Sequence, residues 1–139
     1  MKKLVDVGES RFNLAHEGLL NMIIDADILL GSTVLWGRAF TSDEWENLAS
    51  IFDDLIVYSK NHFSDEENYL RAGRYPNLEH HQSLHNAIIT KLTDYQKKII
   101  LGDDSELKEI RTWLLEWLFI HVNAADLAYA DYFSKSKDL

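Results

Sequence analysis

Three pairs of histidines are each centred on a break in this sequence, and that symmetry constrains the fold more than any other feature. His16 and His62 are centred on residue 39, His85 and His121 on residue 103, and His62 and His81 straddle residues 71 and 72. Two residues of an antiparallel hairpin stand at one height only when they lie about equally far from its turn. Each midpoint falls where helical patterning stops: after Gly37, within Ala72-Gly73-Arg74-Tyr75-Pro76, and within Gly102-Asp103-Asp104-Ser105. An up-down-up-down antiparallel four-helix bundle brings all five histidines to one level, where bundles build cofactor sites from facing helices.

The segments between the breaks read as helices. One proline and six glycines are too few to punctuate many short strands, and long stretches carry apolar residues at helical spacing. The first helix is expected from about Phe12 to about Trp36, with Leu19, Leu20, Ile23, Ile24, Ile28 and Leu29 on its apolar side. Thr41-Ser42-Asp43-Glu44 fits a capping box, in which a hydroxyl accepts from an early backbone N–H and Glu reaches back. It opens a second helix, carrying Trp45, Leu48, Ile51, Phe52, Leu55 and Ile56, that runs to Arg71. Pro76 suits the first position of a third helix, ending near Leu101. Asp103-Asp104-Ser105 caps a fourth, ending near Phe133, and the polar tail from Ser134 to Leu139 is expected to fray. The chain is therefore read as all-α and as one domain over residues 1–139, with no repeat or linker. Trp45, Trp113 and Leu48 are expected in its core.

Composition narrows the chemistry. With 46% hydrophobic residues a chain of 139 residues can bury a real core. It has no cysteine, so neither disulfides nor thiolate-held metals are available, and a bound metal must take nitrogen and oxygen ligands. A net charge of -9 repels phosphate backbones, and Lys97-Lys98 is the one short basic cluster. Nucleic acid is thereby excluded as a partner. No signal peptide and no membrane-spanning stretch is read from the sequence, which implies a soluble, cytoplasmic protein.

Helical spacing then selects the candidate ligands. Residues four apart share a helix face, so His62 with Glu66, and His81 with His85, can each point at one centre. The same rule favours Glu66 over Glu67 and places His80 about 100° away from His81. His121 and Asp126 are five apart, and an ideal helix turns them about 140° from each other. Spacing alone does not pair them; a second metal displaced from the first, or a local bulge in the helix, would make the separation acceptable, and that step rests on the family resemblance given below. A single buried histidine, or an isolated His-Glu pair on a surface, is commonplace. Five histidines and two carboxylates at one level point to a dinuclear transition-metal centre, with iron the expected metal.

The chain resembles the bacterial hemerythrins over almost its whole length, from VGESRFNLAHEGLL through HFSDEE and PNLEHHQSLH to WLLEWLFIHVNAAD. HFxxEE, HxxxH and HxxxxD in that order form a specific signature. The resemblance implies two irons with an oxo or hydroxo bridge that bind dioxygen reversibly. It assigns His81, His85 and His121 to one iron, His16 and His62 to the other, and Glu66 and Asp126 to both as bridges. Octahedral coordination then leaves one position open, on the iron held by His16 and His62, where dioxygen binds. Leu19, Phe63, Trp117 and Val122 lie within a helical turn of a ligand and are candidates for an apolar pocket there, although each also stands where ordinary core packing would put it.

Two departures from the family follow. Phe12-Asn13-Leu14-Ala15 precedes the first histidine where the family commonly has an Asp and a Gln. The stretch from His16 to His62 is longer than usual, which implies that both helices extend past the site as a projecting hairpin. Trp36, Phe40 and Trp45 on that hairpin are candidates for an oligomer contact. The resemblance favours a binding protein, an oxygen carrier, store or sensor read by a signalling partner, over an enzyme. The alternative is a di-iron redox enzyme acting on peroxide or nitric oxide, or on iron itself. Di-iron oxidases use mostly carboxylates with Glu-x-x-His pairs, and no Glu here precedes a His by three positions.

Overall fold

The computed structural model describes residues 3–137, which are all-α with no strand among them. Helix α1 spans Ser10–Trp36, α2 Ser42–Ala72, α3 Leu78–Ile100 and α4 Leu107–Ile120. A π-helical turn, His121–Asp126, continues α4 directly into α5, Leu127–Lys137, so these three pieces form the fourth rod of an antiparallel bundle. Helix α1 packs against α2 and α4, and α2 against α3.

Local chemistry fixes most of the turns. Gly37, at a positive φ of 65°, ends α1 and donates its N–H to the Thr33 carbonyl at 2.9 Å. The capping box at the start of α2 forms as read. Thr41 Oγ1 accepts from Glu44 N–H at 3.2 Å, and Glu44 Oε1 accepts from Thr41 N–H at 3.0 Å. Arg38 clamps the same Glu44 with two hydrogen bonds of 3.0 and 2.7 Å.

Elsewhere the boundaries differ from the sequence reading. Pro76 does not open α3. Helix α2 ends at Ala72, Arg74 in the turn beyond it takes a positive φ of 55°, Tyr75 donates back to the Leu70 carbonyl at 2.9 Å, and the chain uses Pro76 and Asn77 to finish the turn before Leu78. Asp103 accepts from Ser105 N–H at 3.0 Å, which closes a turn and does not cap a helix, so α4 starts at Leu107. At the far end α5 runs on to Lys137, four residues past Phe133; Asp138 and Leu139 of the tail lie outside the described residues.

The inner face of α1 is Phe12, His16, Leu19, Ile23, Ala26 and Leu30, a three-four stripe. Ile24 and Ile28, expected inside, are 44% and 67% exposed. So many apolar residues surround this helix that spacing alone does not single out one stripe. By length and composition α1 is also apolar enough to cross a membrane, against the sequence reading, although here one side of it packs on α2 and α4. The core behind it is continuous, with Phe52, Leu55, Leu92, Ile99, Ile110 and Leu114 among its buried members. Leu48 belongs to it fully, while Trp45 and Trp113 are half-buried against it.

The hairpin of α1 and α2 does project. Measured from the ligand level, α1 continues 20 residues beyond His16 and α3 only 15 beyond His85. At 1.5 Å per residue these are about 30 and about 22 Å. At its tip Phe40 and Trp45 meet edge to face, with centroids 5.0 Å apart, and Trp36 stays 81% exposed.

Candidate metal centre

All seven residues selected from the sequence meet inside the bundle and all are buried: His16 from α1, His62 and Glu66 from α2, His81 and His85 from α3, and His121 and Asp126 from the π turn. His80 is exposed and points away from the set. The π turn accounts for the pair five apart. About 4.4 residues per turn bring positions i and i+5 back to one face, where an α-helix would separate them.

The donors form two overlapping groups, each with its ligand atoms within 4.8 Å of one another. One comprises His81, His85, His121, Glu66 and Asp126; the other comprises His16, His62, Glu66 and Asp126. The carboxylates divide their oxygens between them. Glu66 Oε1 lies 2.8 Å from His81 Nε2 and 3.1 Å from His85 Nε2, whereas Oε2 faces His62 at 3.2 Å and His16 at 3.7 Å. Asp126 Oδ1 faces His81 at 2.9 Å and His121 at 3.2 Å, while Oδ2 faces His16 at 3.2 Å.

Such crowding makes poor sense as hydrogen bonding alone. His85 Nε2 and His121 Nε2 approach to 3.2 Å. His16 Nδ1 and Nε2, His62 Nε2 and both Asp126 oxygens are buried without an aligned hydrogen bond. Buried polar atoms left so cost free energy, and cations shared between imidazole and carboxylate donors would relieve it. The residues present fit two transition-metal ions, and their donor chemistry suits iron.

The charges of the metal-free set are mutually arranged. Burial opposes charging His16, but Asp126 and Glu66 outweigh it and push its pKa up to about 9. His81 reaches about 9 for the same reasons. Burial alone would raise Glu66, yet the imidazoles of His16, His62, His81 and His85 that crowd its oxygens hold it well below the usual carboxylate range. Asp126 is also lowered: burial and the Glu66 charge push it up, and His121, His16 and His81 more than compensate.

Three supporting residues escaped the sequence reading. Glu67, set aside as a ligand, accepts from His85 Nδ1–H at 2.8 Å and so fixes which nitrogen of that ring faces the cluster. Tyr129 is fully buried and donates to Glu66 Oε2 at 3.2 Å. Burial, then the nearby Glu66 and Asp126 charges, push its pKa up, so it stays a phenol and a donor. Phe12 sets its ring edge-on to His62 at 5.6 Å. The acidic pair Glu66-Glu67 and the position of Tyr129, three past Asp126 on one helical face, were the available signals.

The four pocket candidates, Leu19, Phe63, Trp117 and Val122, are all buried. Phe63 stacks flat on His85, with ring centres 3.9 Å apart, and lies 5.8 Å from His62 and 6.0 Å from His121. The residues Phe12, Asn13, Leu14 and Ala15 ahead of His16 have a structural use. Asn13 Oδ1 accepts from Val7 N–H and its amide donates to Asp6, which pins the chain entering α1.

A four-helix bundle whose facing helices present five imidazoles and two shared carboxylates is of the class that binds metal cations in its interior. This chain belongs to the family described as the hemerythrin HHE cation binding domain, which it matches over residues 11–131. It is similar to the bacteriohemerythrin of Stenotrophomonas maltophilia (strain R551-3), 32% identical over 93 residues that make up 67% of this chain and 60% of the relative. It also matches the bacteriohemerythrin of Clostridium acetobutylicum at 29% over 93 residues, 66% of this chain and 72% of that protein. That of Pseudomonas aeruginosa (strain LESB58) is 27% identical over 84 residues, 60% of this chain and 54% of its own length. The match thus spans about 60% of the length of the Stenotrophomonas relative. No solved structure matches the chain.

Proposed function

We propose that this protein binds dioxygen reversibly at a non-haem di-iron centre, with the gas admitted on the side of His16 and His62, and that it acts as a binding protein and not an enzyme. The observation that carries the reading is the unequal sharing of donors. Glu66 and Asp126 serve both groups, but three histidines complete one and only two complete the other. The poorer group keeps one more position for an external ligand.

The iron pair, when bound, supplies the two electrons that capture of dioxygen requires. The protein's own residues do the rest. Leu19, Phe63, Trp117 and Val122 are buried, Phe63 directly against His62, His85 and His121, and this apolar packing favours release of the gas over its displacement by water or anions. Glu67 orients His85, and Tyr129 holds the Glu66 carboxylate in place by a hydrogen bond. The bacteriohemerythrin relatives support the same assignment.

The test is a visible spectrum of iron-loaded protein, reduced without oxygen, exposed to air, then flushed with argon. A ligand-to-metal charge-transfer band that appears with oxygen and fades under argon to the colourless ferrous form is the expected result. Direct passage to a stable ferric spectrum would shift the assignment to redox chemistry on peroxide or nitric oxide. Absence of any iron-dependent spectrum would overturn the di-iron reading itself.

A further inference from the structure

We infer a second binding site on this bundle, for a neutral planar quinone whose reduced form, the quinol, delivers electrons to the metal centre. Helix α3 packs closely on α2 but much less closely on α4, and the gap opens at the surface as a cavity of about 570 Å³. That volume lies within the range of small-molecule sites. Its walls are almost wholly apolar, with Ile88 from α3 facing Trp113 and Trp117 from α4. The two indoles stack on each other, 22° apart with centres at 5.8 Å, so that half-buried Trp113, backed by buried Trp117, offers a face on which a fused ring can stack.

Charge selects the occupant. One cation, Lys91, and one anion, Glu116, stand among the lining residues, in a chain with a net charge of -9. A phosphate-bearing carrier such as a flavin mononucleotide is repelled, whereas a neutral ring whose carbonyl oxygens accept hydrogen bonds from an ammonium is not. Lys91 leans over Tyr95, at 4.9 Å from the ring centre, and lies 3.6 Å from Glu109, which holds its ammonium near the wall with further N–H donors to offer.

The placement gives the site its use. His121, a member of the five-donor metal group, is itself part of the cavity wall. A second contact path runs from Trp117 edge-on to Phe63 at 6.4 Å, and from Phe63 face-on to His85 at 3.9 Å. A quinol stacked on Trp113 is therefore linked to the donor set through Trp117 and Phe63, while His121 lines the same cavity. In the step we assign, the quinol loses two electrons and two protons and becomes the quinone. With two ferric ions held by the donor set, those electrons would return both to ferrous, and the protons would leave through the open mouth. This electron-delivery role rests on the di-iron reading, whereas the binding site stands apart from it.

Menadione, a two-ring naphthoquinone, is the probe, measured by equilibrium dialysis against iron-loaded ferric protein and against chelator-treated protein. Saturable uptake of one molecule per chain is expected in both. Ala87→Phe fills the cavity from an exposed position outside the core, and Trp113→Leu removes a stacking face; each should weaken uptake at least tenfold, while Ile28→Ala on α1 leaves it unchanged. Mixed without oxygen with the corresponding quinol, ferric protein should lose its visible absorption at least tenfold more slowly when it carries Ala87→Phe, with reduction by dithionite unaltered. No saturable uptake, or uptake indifferent to both variants, overturns the site. Equal quinol reduction of wild type and Ala87→Phe overturns the electron role. A chain that takes up menadione yet shows no ferric absorption refutes the di-iron reading and leaves the site intact.

Discussion

Removing the metal should lower the melting temperature by about 14 °C, a figure that comes from the unpaired atoms of the cluster. His16 Nε2, His62 Nε2 and both Asp126 oxygens face the metal groups, are buried, and make no aligned hydrogen bond. Each such atom costs about 1–3 kcal/mol when unsatisfied. The attraction between imidazolium and carboxylate recovers part of this, so the lower end is appropriate, about 4 kcal/mol for the four. Unfolding entropy of about 2.1 cal/mol/K per residue gives a chain of this length about 290 cal/mol/K, and the quotient is about 14 °C. The assay is circular dichroism at 222 nm on ferrous protein without oxygen, compared with chelator-treated protein. His80→Ala should retain the whole gain, since His80 is exposed, and His121→Ala should lose most of it. Equal melting with and without iron, or a gain that survives His121→Ala undiminished, would refute the reasoning.

Other outcomes follow from the same geometry. In chelator-treated protein the raised pKa of His16 and His81, about 9 against an ordinary 6.5, stabilises the fold fully below pH 6.5 and is lost as pH rises towards 9. The lowered Glu66 and Asp126 act in the opposite sense, their contribution disappearing only as pH falls through their depressed values, so a melting-temperature profile should decline on the alkaline side of neutrality. Because those two imidazoliums must deprotonate to take metal, and a bridging hydroxide formed from water releases a further proton, calorimetry at pH 7.5 in buffers of different ionisation enthalpy should show at least two protons released per iron pair. Glu67→Gln should weaken iron binding by about 10–100-fold in chelator competition without altering the helical spectrum, since it loosens His85 and touches no core residue. Phe52→Ala should cost about 3–5 kcal/mol in urea unfolding and leave the iron spectrum unchanged, because Phe52 is fully buried nearly three helical turns from His62.

The site was more legible in the sequence than the faces of the helices that carry it. Equal distances from the turns placed the five histidines at one height, and four-residue spacing chose Glu66 and His81 over Glu67 and His80, because those rules depend only on helix geometry. Helix α1 defeated the same rules: its polar residues are too few to mark an outer side, so Ile24 and Ile28 were assigned inward and lie outward. The spacing of His121 and Asp126 allowed either a displaced second metal or a bulge. The π turn is present and accounts for the spacing, and each carboxylate also faces both donor groups. Pro76 misled because a proline suits a helix start and a turn equally, and the left-handed Arg74 that decides between them leaves no mark in composition. Glu67 and Tyr129 were missed since their roles depend on contacts between helices, with His85 and Glu66 respectively, which no spacing within one helix reveals.

Sharing Glu66 and Asp126 between the two donor groups has a consequence for how the protein fills. An ion entering the five-donor group fixes both carboxylates, so the oxygens facing His16 and His62 are already oriented and anionic when the second ion arrives. The entropy of ordering those two side chains is thus lost once for two binding events. Loading should be positively cooperative, with few half-filled molecules at intermediate iron, and the protein should exchange between empty and paired forms as a threshold device.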